Sequence, residues 1–178
     1  MRRPLSLKIR PVTCDDVGAV LDVYRQCEDF LALGPEPGAS MAMVLRDIET
    51  SQREGGLFRG ICAADGRMVG VVDTVPSGFE GDPRLAFFSL LMIAAPYRNQ
   101  GIGQAAVALI EDEIERNPQI TAIFSAVQVN NPKAVRFWQR NGYCIVGGPE
   151  LQRDGTTTFR LCKECNRRPD PAYTDGVD

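Results

Sequence analysis

The chain has 178 residues, of which 44% are hydrophobic and 24% are charged, and its 20 basic and 23 acidic residues give a net charge of −3. These values suit one globular domain with a substantial core. The slight acidic surplus argues against a nucleic-acid binder, and because neither a membrane-spanning apolar run nor a secretion signal is visible, we expect a cytoplasmic protein that binds no membrane.

The first half of the chain divides into one strand, two helices and a hairpin, according to its apolar periodicity and turn residues. Thr13 and Asp16 are typical of a helix start, and Ser40 can cap the second helix. Asp65 and Gly66 supply the positive φ angles of a tight hairpin turn. The predicted segments are a strand over Leu7–Arg10, helices from Val17 to Tyr24 and from Met41 to Ile48, and strands over Leu57–Ala64 and Met68–Val75.

The second half alternates strands and helices after a loop over Pro76–Pro83. The long apolar run Arg84–Ile93 predicts a strand that is buried on both faces. Asn131 followed by Pro132 is a favourable helix start, because Asn caps well and Pro fits the first helical position. The remaining segments are a helix over Ala105–Ile114, a strand over Ile120–Val127, a helix from Asn131 to Arg140, and strands over Tyr143–Val146 and Thr156–Leu161.

This order of elements predicts a mixed α/β fold with about six to seven strands and about four helices, in which antiparallel strands come first. We expect a single domain over residues 1–163. Residues 164–178 hold few apolar residues and predict a flexible C-terminal tail.

The sequence contains no histidine, which excludes Ser-His-Asp and Cys-His catalysis. Cys162 and Cys165 form a single C-x-x-C pair. A structural zinc site requires four ligands, so we expect no metal, and the pair is read as the end of the last strand.

A basic, glycine-rich turn connects the apolar strand to the next helix. Arg98, Gly101 and Gly103 form the pattern R-x-x-G-x-G at the start of that helix. A helix N-terminus carries unpaired N–H groups and partial positive charge, and glycines let an anion approach, so the turn predicts a phosphate cradle. It is not a P-loop, and a dinucleotide fold would place its glycines after the first strand and add a third glycine.

The turn and a second motif together resemble the signature of the GNAT N-acetyltransferase superfamily. The stretch Arg98–Gly103 resembles the acyl-CoA signature, and Asn131–Tyr143 resembles the downstream block N-x-x-A-x-x-x-Y/W-x-x-x-G-F/Y. The resemblance in element order covers Leu5–Lys163. It implies a strongly bent sheet that splays between its fourth and fifth strands, with acetyl-CoA in the split.

The resemblance also implies which residues bind the cofactor. The backbone N–H groups from Asn99 to Gln104 would hold the pyrophosphate, and a side chain at Gly101 or Gly103 would block its approach. Arg98 would fix the turn or add charge, while Asn131 would contact the cofactor or serve only as a helix cap. The expected binding residues are Leu91, Met92 and Ile93 through their backbone, Arg98, Asn99, Gln100, Gly101, Ile102, Gly103, Gln104, Asn131 and Trp138.

Catalytic residues are harder to assign. Trp138 stands where the family often has a tyrosine acid, and an indole N–H does not release a proton. We therefore consider Tyr143 as the acid and Ser89 as a residue that positions water. Asp73 is the candidate base, and Glu80 and Asp82 are alternatives to it. Deprotonation of the acceptor by bulk water would remove the need for a base.

The predicted function is direct transfer of an acetyl group from acetyl-CoA to a primary amine of a small molecule or peptide. The resemblance implies that the first two helices and the loop between the third and fourth strands line the acceptor side, and their acidic residues suit a cationic acceptor. Dimers are common in the family, which makes a homodimer possible, and the sequence does not determine the oligomeric state. The alternatives are a non-catalytic CoA-binding regulatory module and an unrelated nucleotide-binding protein. The acidic residues of the segments on the acceptor side are Glu28, Asp29, Glu36, Glu80 and Asp82.

Overall fold

Seven strands form one sheet in the computed structural model, which describes residues 7–165. The strands are β1 (Lys8–Pro11), β2 (Leu57–Cys62), β3 (Met68–Val75), β4 (Leu85–Ile93), β5 (Ala122–Gln128), β6 (Cys144–Leu151) and β7 (Thr157–Glu164). Their order across the sheet is β1-β2-β3-β4-β5-β7-β6. All neighbours are antiparallel except β4 and β5, which are parallel.

The helices pack against the sheet in two separate hydrophobic clusters. Adjacent residues of β3 belong to different clusters. Val71 belongs to the cluster of α1 (Val17–Arg25) and α3 (Met41–Arg53), whereas Val72 belongs to that of α4 (Ile102–Ile114) and α5 (Pro132–Arg140). Because successive strand residues point to opposite faces, the helices cover both faces of the sheet. The helices are α1 (Val17–Arg25), α2 (Glu28–Leu31), α3 (Met41–Arg53), α4 (Ile102–Ile114) and α5 (Pro132–Arg140).

The sheet splits between β4 and β5. The two strands pair only from Leu85 opposite Ala122 to Phe88 opposite Ser125. At the last pair, Ser125 Oγ donates a hydrogen bond to Phe88 O at 3.2 Å. Beyond it, β4 continues beside β3 and β5 beside β7, which confirms the expected splayed sheet.

A β-bulge places Ser89 at the apex of this split. On β3, Asp73 faces Leu90 and Thr74 faces Phe88, which leaves Ser89 as the extra residue of β4. Ser89 is exposed, and Leu90 and Leu91 are only half-buried. The prediction that this strand is buried on both faces is therefore wrong, because buried residues alternate with half-buried or exposed ones along its whole length.

The last two strands are longer than predicted. The glycines and proline at residues 147–149 usually end a strand. However, β6 is an edge strand with register shifts, where such residues are tolerated. Strand β7 reaches Glu164, and Cys165 N donates to Thr121 O at 2.9 Å. The first two residues of the predicted tail therefore continue the sheet, and residues 166–178 lie outside the described range.

The other departures are small. Helix α2 was not predicted, and the remaining helices and the hairpin occur where expected. Within residues 7–165, no helix has the length and apolar character to cross a membrane.

Candidate active site

The split in the sheet opens into a cleft of about 1450 Å³. Residues 89–93 of β4 and residues 126–128 of β5 form its walls. The turn before α4, helix α5, the segment around α2 and the start of β7 complete the lining. Most residues of both sequence motifs therefore face one cavity.

The start of α4 is rich in backbone donors. After Arg98, the first backbone hydrogen bond is donated by Ala105 N to Gly101 O at 2.9 Å. Within residues 7–165, the N–H groups of residues 99–104 have no hydrogen-bond acceptor. The cleft lining includes Asn99 and residues 101–104, so these donors are placed as an anion cradle requires.

The two glycines of the motif are required for different reasons. Gly101 caps α4 with a φ of +83°, which side chains rarely adopt. A Cβ at Gly103 would lie 3.2 Å from Phe137 Cε2, so this glycine permits close packing of α4 on α5. A side chain at Gly103 would therefore meet Phe137, and its effect on the approach of a phosphate stays a prediction.

Arg98 braces the turn. Its guanidinium binds both carboxylate oxygens of Asp29 at 2.6 and 3.0 Å, and its Nε donates to Ile93 O at 2.8 Å. These hydrogen bonds hold the pKa of Asp29 below its ordinary value. Of the two roles expected for Arg98, the geometry supports fixing the turn, since its charge is already paired.

Three cations of α5 line the cleft and were not identified from the sequence. Lys133, Arg136 and Arg140 are three and four residues apart and therefore lie on one helix face. None of them forms an ion pair with any residue in the described range. Their spacing in the sequence indicates a basic helix face. That this face belongs to a binding site follows only from the position of α5 beside α4.

The other two expected residues of this region have clear structural roles. Asn131 Oδ1 accepts a hydrogen bond from Ala134 N at 3.1 Å, which makes it the N-cap of α5. Trp138 is 6% exposed and packs 5.2 Å from Phe88 and 4.8 Å from Tyr143, between ring centroids. Both residues also line the cleft.

The β4 wall offers backbone groups to a ligand. Beyond Phe88, the edge of β4 that faces β5 has no partner strand. Leu91, Met92 and Ile93 line the cleft there. The carbonyl of Ile93 is occupied by Arg98 Nε and by Cys27 Sγ at 3.4 Å, so the free backbone groups lie before it.

Of the three expected catalytic residues, only Ser89 lies in the cleft. Tyr143 is buried, and its hydroxyl donates to Glu111 Oε1 at 2.9 Å. Burial, with Glu111 nearby, raises the pKa of Tyr143 far above its ordinary value. Asp73 is also buried, accepts a hydrogen bond from Ser51 Oγ at 2.6 Å, and is not part of the lining.

The acidic residues expected on the acceptor side are engaged elsewhere. Glu80 forms two hydrogen bonds with Arg160 at 2.6 and 2.7 Å. Asp29 is held by Arg98, and Glu28 Oε1 accepts from Ala39 N at 3.1 Å. The remaining pairs are Asp82 with Arg84 at 2.7 Å and Glu36 with Arg46 at 2.9 Å. Four of these five carboxylates are paired with arginines, whereas Glu28 accepts only a backbone hydrogen bond, and a cationic acceptor stays a prediction.

The structure gives no support for metal binding at Cys162 and Cys165. Within residues 7–165, no group of three or more His, Cys, Asp or Glu residues is placed to hold a metal ion. Burial raises the pKa of both thiols, that of Cys165 to about 11.

Comparisons with known proteins agree with this geometry. A model of the acetyltransferase (GNAT) family matches residues 20–143. An acetyltransferase from Thermus thermophilus is similar in structure, with a TM-score of 0.76 at 22% identity over 90% of this chain and 98% of that one. No curated protein matches the sequence at a significant level.

Two further solved structures are similar in fold. A spermidine N-acetyltransferase from Vibrio cholerae, in complex with CoA and spermine, has a TM-score of 0.67 at 16% identity over 89% of this chain and 95% of that one. The PaiA N-acetyltransferase from Thermoplasma acidophilum, in complex with coenzyme A, has a TM-score of 0.65 at 19% identity over 90% and 100% of the two chains.

Proposed function

Because the chain belongs to the GNAT family of acetyltransferases, we propose that it moves the acetyl group of acetyl-CoA directly to a primary amine inside the β4–β5 cleft. The observation that carries this proposal is the run of unpaired N–H groups over residues 99–104, which opens α4 at the mouth of the split sheet. The thioester supplies the activated acetyl group, and the residues of the cleft bind and orient it.

The phosphates of the donor fit the end of the cleft between α4 and α5. The N–H groups of residues 99–104 donate hydrogen bonds there, and the helix dipole of α4 adds partial positive charge. Lys133, Arg136 and Arg140 supply full charges from the facing helix. Backbone donors and unpaired cations together match a ligand that carries several phosphates.

The pantetheine arm fits the open edge of β4. Its amides can extend the ladder of residues 89–92, because no strand pairs with that edge beyond Phe88. Asn131 keeps its Nδ2 available for the ligand while its Oδ1 caps α5. The same backbone would stabilise the carbonyl oxygen of the thioester as it gains negative charge.

Proton transfer receives little help from side chains. Among the described residues, Asp29 is the only carboxylate in the cleft lining, and it is paired with Arg98. Tyr97 also lines the cleft, and its hydroxyl accepts a hydrogen bond from Arg67 at 2.8 Å, which leaves its own proton unpaired. Positioning and electrostatics therefore provide most of the rate enhancement. The neutral amine would attack the thioester carbon, the C–S bond would break, and a water held by Ser89 would carry the amine proton to the departing thiolate.

Tyr143 and Asp73 have structural roles in this scheme, since the hydroxyl of the first and the carboxylate of the second are bonded outside the cleft. The non-catalytic CoA-binding module stays as the second candidate because the cleft lacks an acid in the position of Trp138. The cytoplasmic location, the homodimer, and the absence of nucleic-acid and membrane partners stay predictions.

The test is an assay of free CoA release from acetyl-CoA with a panel of primary amines, with product identified by mass spectrometry. We expect release that depends on the amine, together with a product that carries one acetyl group. Binding of acetyl-CoA without any product would support the regulatory module. Absence of binding would contradict both candidates.

A further inference from the structure

We propose that the acceptor is an amine next to a neutral amide group, as in an amino-acid amide or a peptide N-terminus, and not a polyamine. This inference rests on the proposed acetyl transfer and specifies its substrate class. It is carried by the charge of the acceptor end of the cleft and by one unpaired side-chain amide, that of Gln128.

The acceptor end of the cleft has no free charge. It is the part lined by the segment around α2, the end of β5 and the start of β7, and its one carboxylate, Asp29, is bound by Arg98 through two hydrogen bonds. A polyamine keeps further positive charges after one amine is neutral, and these need carboxylate partners. The uncharged residues of this end are Phe30, Leu33, Gln128, Asn130, Thr156 and Thr158.

A smaller neighbouring cleft of about 360 Å³ shares part of this lining and adds one carboxylate, that of Asp154. Asp154 Oδ1 already accepts hydrogen bonds from Thr156 N at 2.9 Å and from Thr156 Oγ1 at 2.7 Å. A single engaged carboxylate at the outer rim does not complement the several charges of a polyamine.

Gln128, the last residue of β5, has a side-chain amide without partners. Its Oε1 is shielded from solvent and accepts no hydrogen bond from residues 7–165. Neighbouring polar groups in the cleft are paired: Asn130 Nδ2 donates to Leu33 O at 3.4 Å, and Thr158 Oγ1 accepts from Gln152 Nε2 at 2.9 Å. Gln128 itself is only half-buried and lines the cleft, so a turn of its side chain would bring the unpaired Oε1 to a ligand group that donates to it.

A primary or secondary amide is the group that complements Gln128. Its N–H can donate to Gln128 Oε1 while its C=O accepts from Gln128 Nε2. An amine on the carbon beside that amide also suits a cleft without a base, since an α-amine has a pKa near about 8 and a lysine-like amine near about 10.4. The α-amine is therefore neutral more often at physiological pH.

The experiment compares alanine amide, n-propylamine and spermidine as acceptors for wild-type protein, Gln128→Leu and the control Gln52→Leu. Gln52 is an exposed residue of α3 outside the cleft. The readout is the ratio of kcat/KM for alanine amide to that for n-propylamine in each variant. Comparing this ratio between variants removes the difference in basicity between the two amines.

We expect alanine amide to be the best acceptor of the wild-type protein, and the ratio to fall about tenfold in Gln128→Leu, as loss of a paired buried amide implies. Gln52→Leu should keep the wild-type ratio. If spermidine is the best acceptor, or if the ratio is unchanged in Gln128→Leu, this inference is wrong while acetyl transfer stands. If none of the three amines is acetylated, this inference is wrong, and the wider amine panel decides whether the proposed acetyl transfer fails as well.

Discussion

Arg98 and Asp29 form a two-hydrogen-bond ion pair, with distances of 2.6 and 3.0 Å, that joins the turn before α4 to helix α2. The same guanidinium holds Ile93 O at 2.8 Å. The arginine of the R-x-x-G-x-G turn thus connects the proposed donor end of the cleft to the segment that lines its proposed acceptor end.

Arg98→Ala should affect the acceptor more than the donor. The substitution removes the connection to α2 but no free cation, so we expect the Kd of acetyl-CoA to change by less than about threefold while the KM of the acceptor rises. Isothermal titration and steady-state kinetics measure the two quantities. A loss of acetyl-CoA affinity without a change in the acceptor KM would show that Arg98 contacts phosphate.

Replacing both Arg136 and Arg140 by alanine should weaken donor binding directly. These residues line the cleft without ion-pair partners in the described range, and two lost contacts with phosphate should raise the Kd of acetyl-CoA about tenfold. The affinity of the double variant should also depend less on salt. Arg116→Ala, outside the cleft, is the matched control, and an equal effect of this variant would contradict the assignment.

Gly103→Ala should destabilise the protein by about 1 kcal/mol, because the new methyl group overpacks against Phe137. Gly18→Ala is the matched control, since this glycine of α1 has no atom within 4 Å of the added Cβ. It should gain stability, as alanine is the better helix former. Denaturant unfolding measures both, and adding Phe137→Leu should relieve the strain at residue 103. Equal effects at the two glycines would contradict this packing account.

Tyr143→Phe should leave the turnover within about threefold of wild type, because its hydroxyl serves Glu111 and not the cleft. If Tyr143 were the acid that protonates the thiolate, kcat would fall by about 10²–10⁴. Stability should fall by about 1 kcal/mol in either case. Tyr24→Phe, which removes the hydrogen bond to Asp47 at 2.8 Å, controls for the loss of a buried hydroxyl.

The pH dependence of kcat/KM should follow the acceptor. Burial raises the pKa of the cleft thiol Cys27, and the pKa of Asp29 is lowered by Arg98. The stability that Asp29 contributes is therefore present above its unfolded pKa and is lost only as the pH falls through its folded value. The value of kcat/KM should rise with pH until the amine is neutral. A more basic acceptor should therefore shift the inflection of the profile to higher pH. One unchanged inflection with two acceptors would indicate a base on the protein.

The sequence indicates more of the proposed donor site than of the proposed acceptor site, for a physical reason. Gly101 and the cap Asn131 are local signals, since a positive φ and a helix start depend on near neighbours. The partners of Arg98 and Tyr143 are distant in the sequence and depend on how the sheet is folded. The packing role of Gly103 could not be predicted because its close neighbour, Phe137, lies on another helix.

The acidic residues of the acceptor side show the same limit. Composition alone favoured a cationic acceptor, but Glu80 is paired with Arg160, which is far away in the chain. Net charge is visible in a sequence, whereas its neutralisation by tertiary contacts is not. Ser89 was found as a cleft residue, although the bulge that exposes it depends on the register with β3.

The most direct measurement is the Kd of acetyl-CoA, by isothermal titration, for Gln104→Glu beside the control Gln119→Glu. Gln104 is an exposed residue in the first turn of α4, where a carboxylate favours the helix but repels phosphate. We expect a stable protein whose Kd for acetyl-CoA rises about tenfold, with no change for the variant at residue 119. Equal affinities for the two variants would contradict the placement of the donor phosphates at the start of α4.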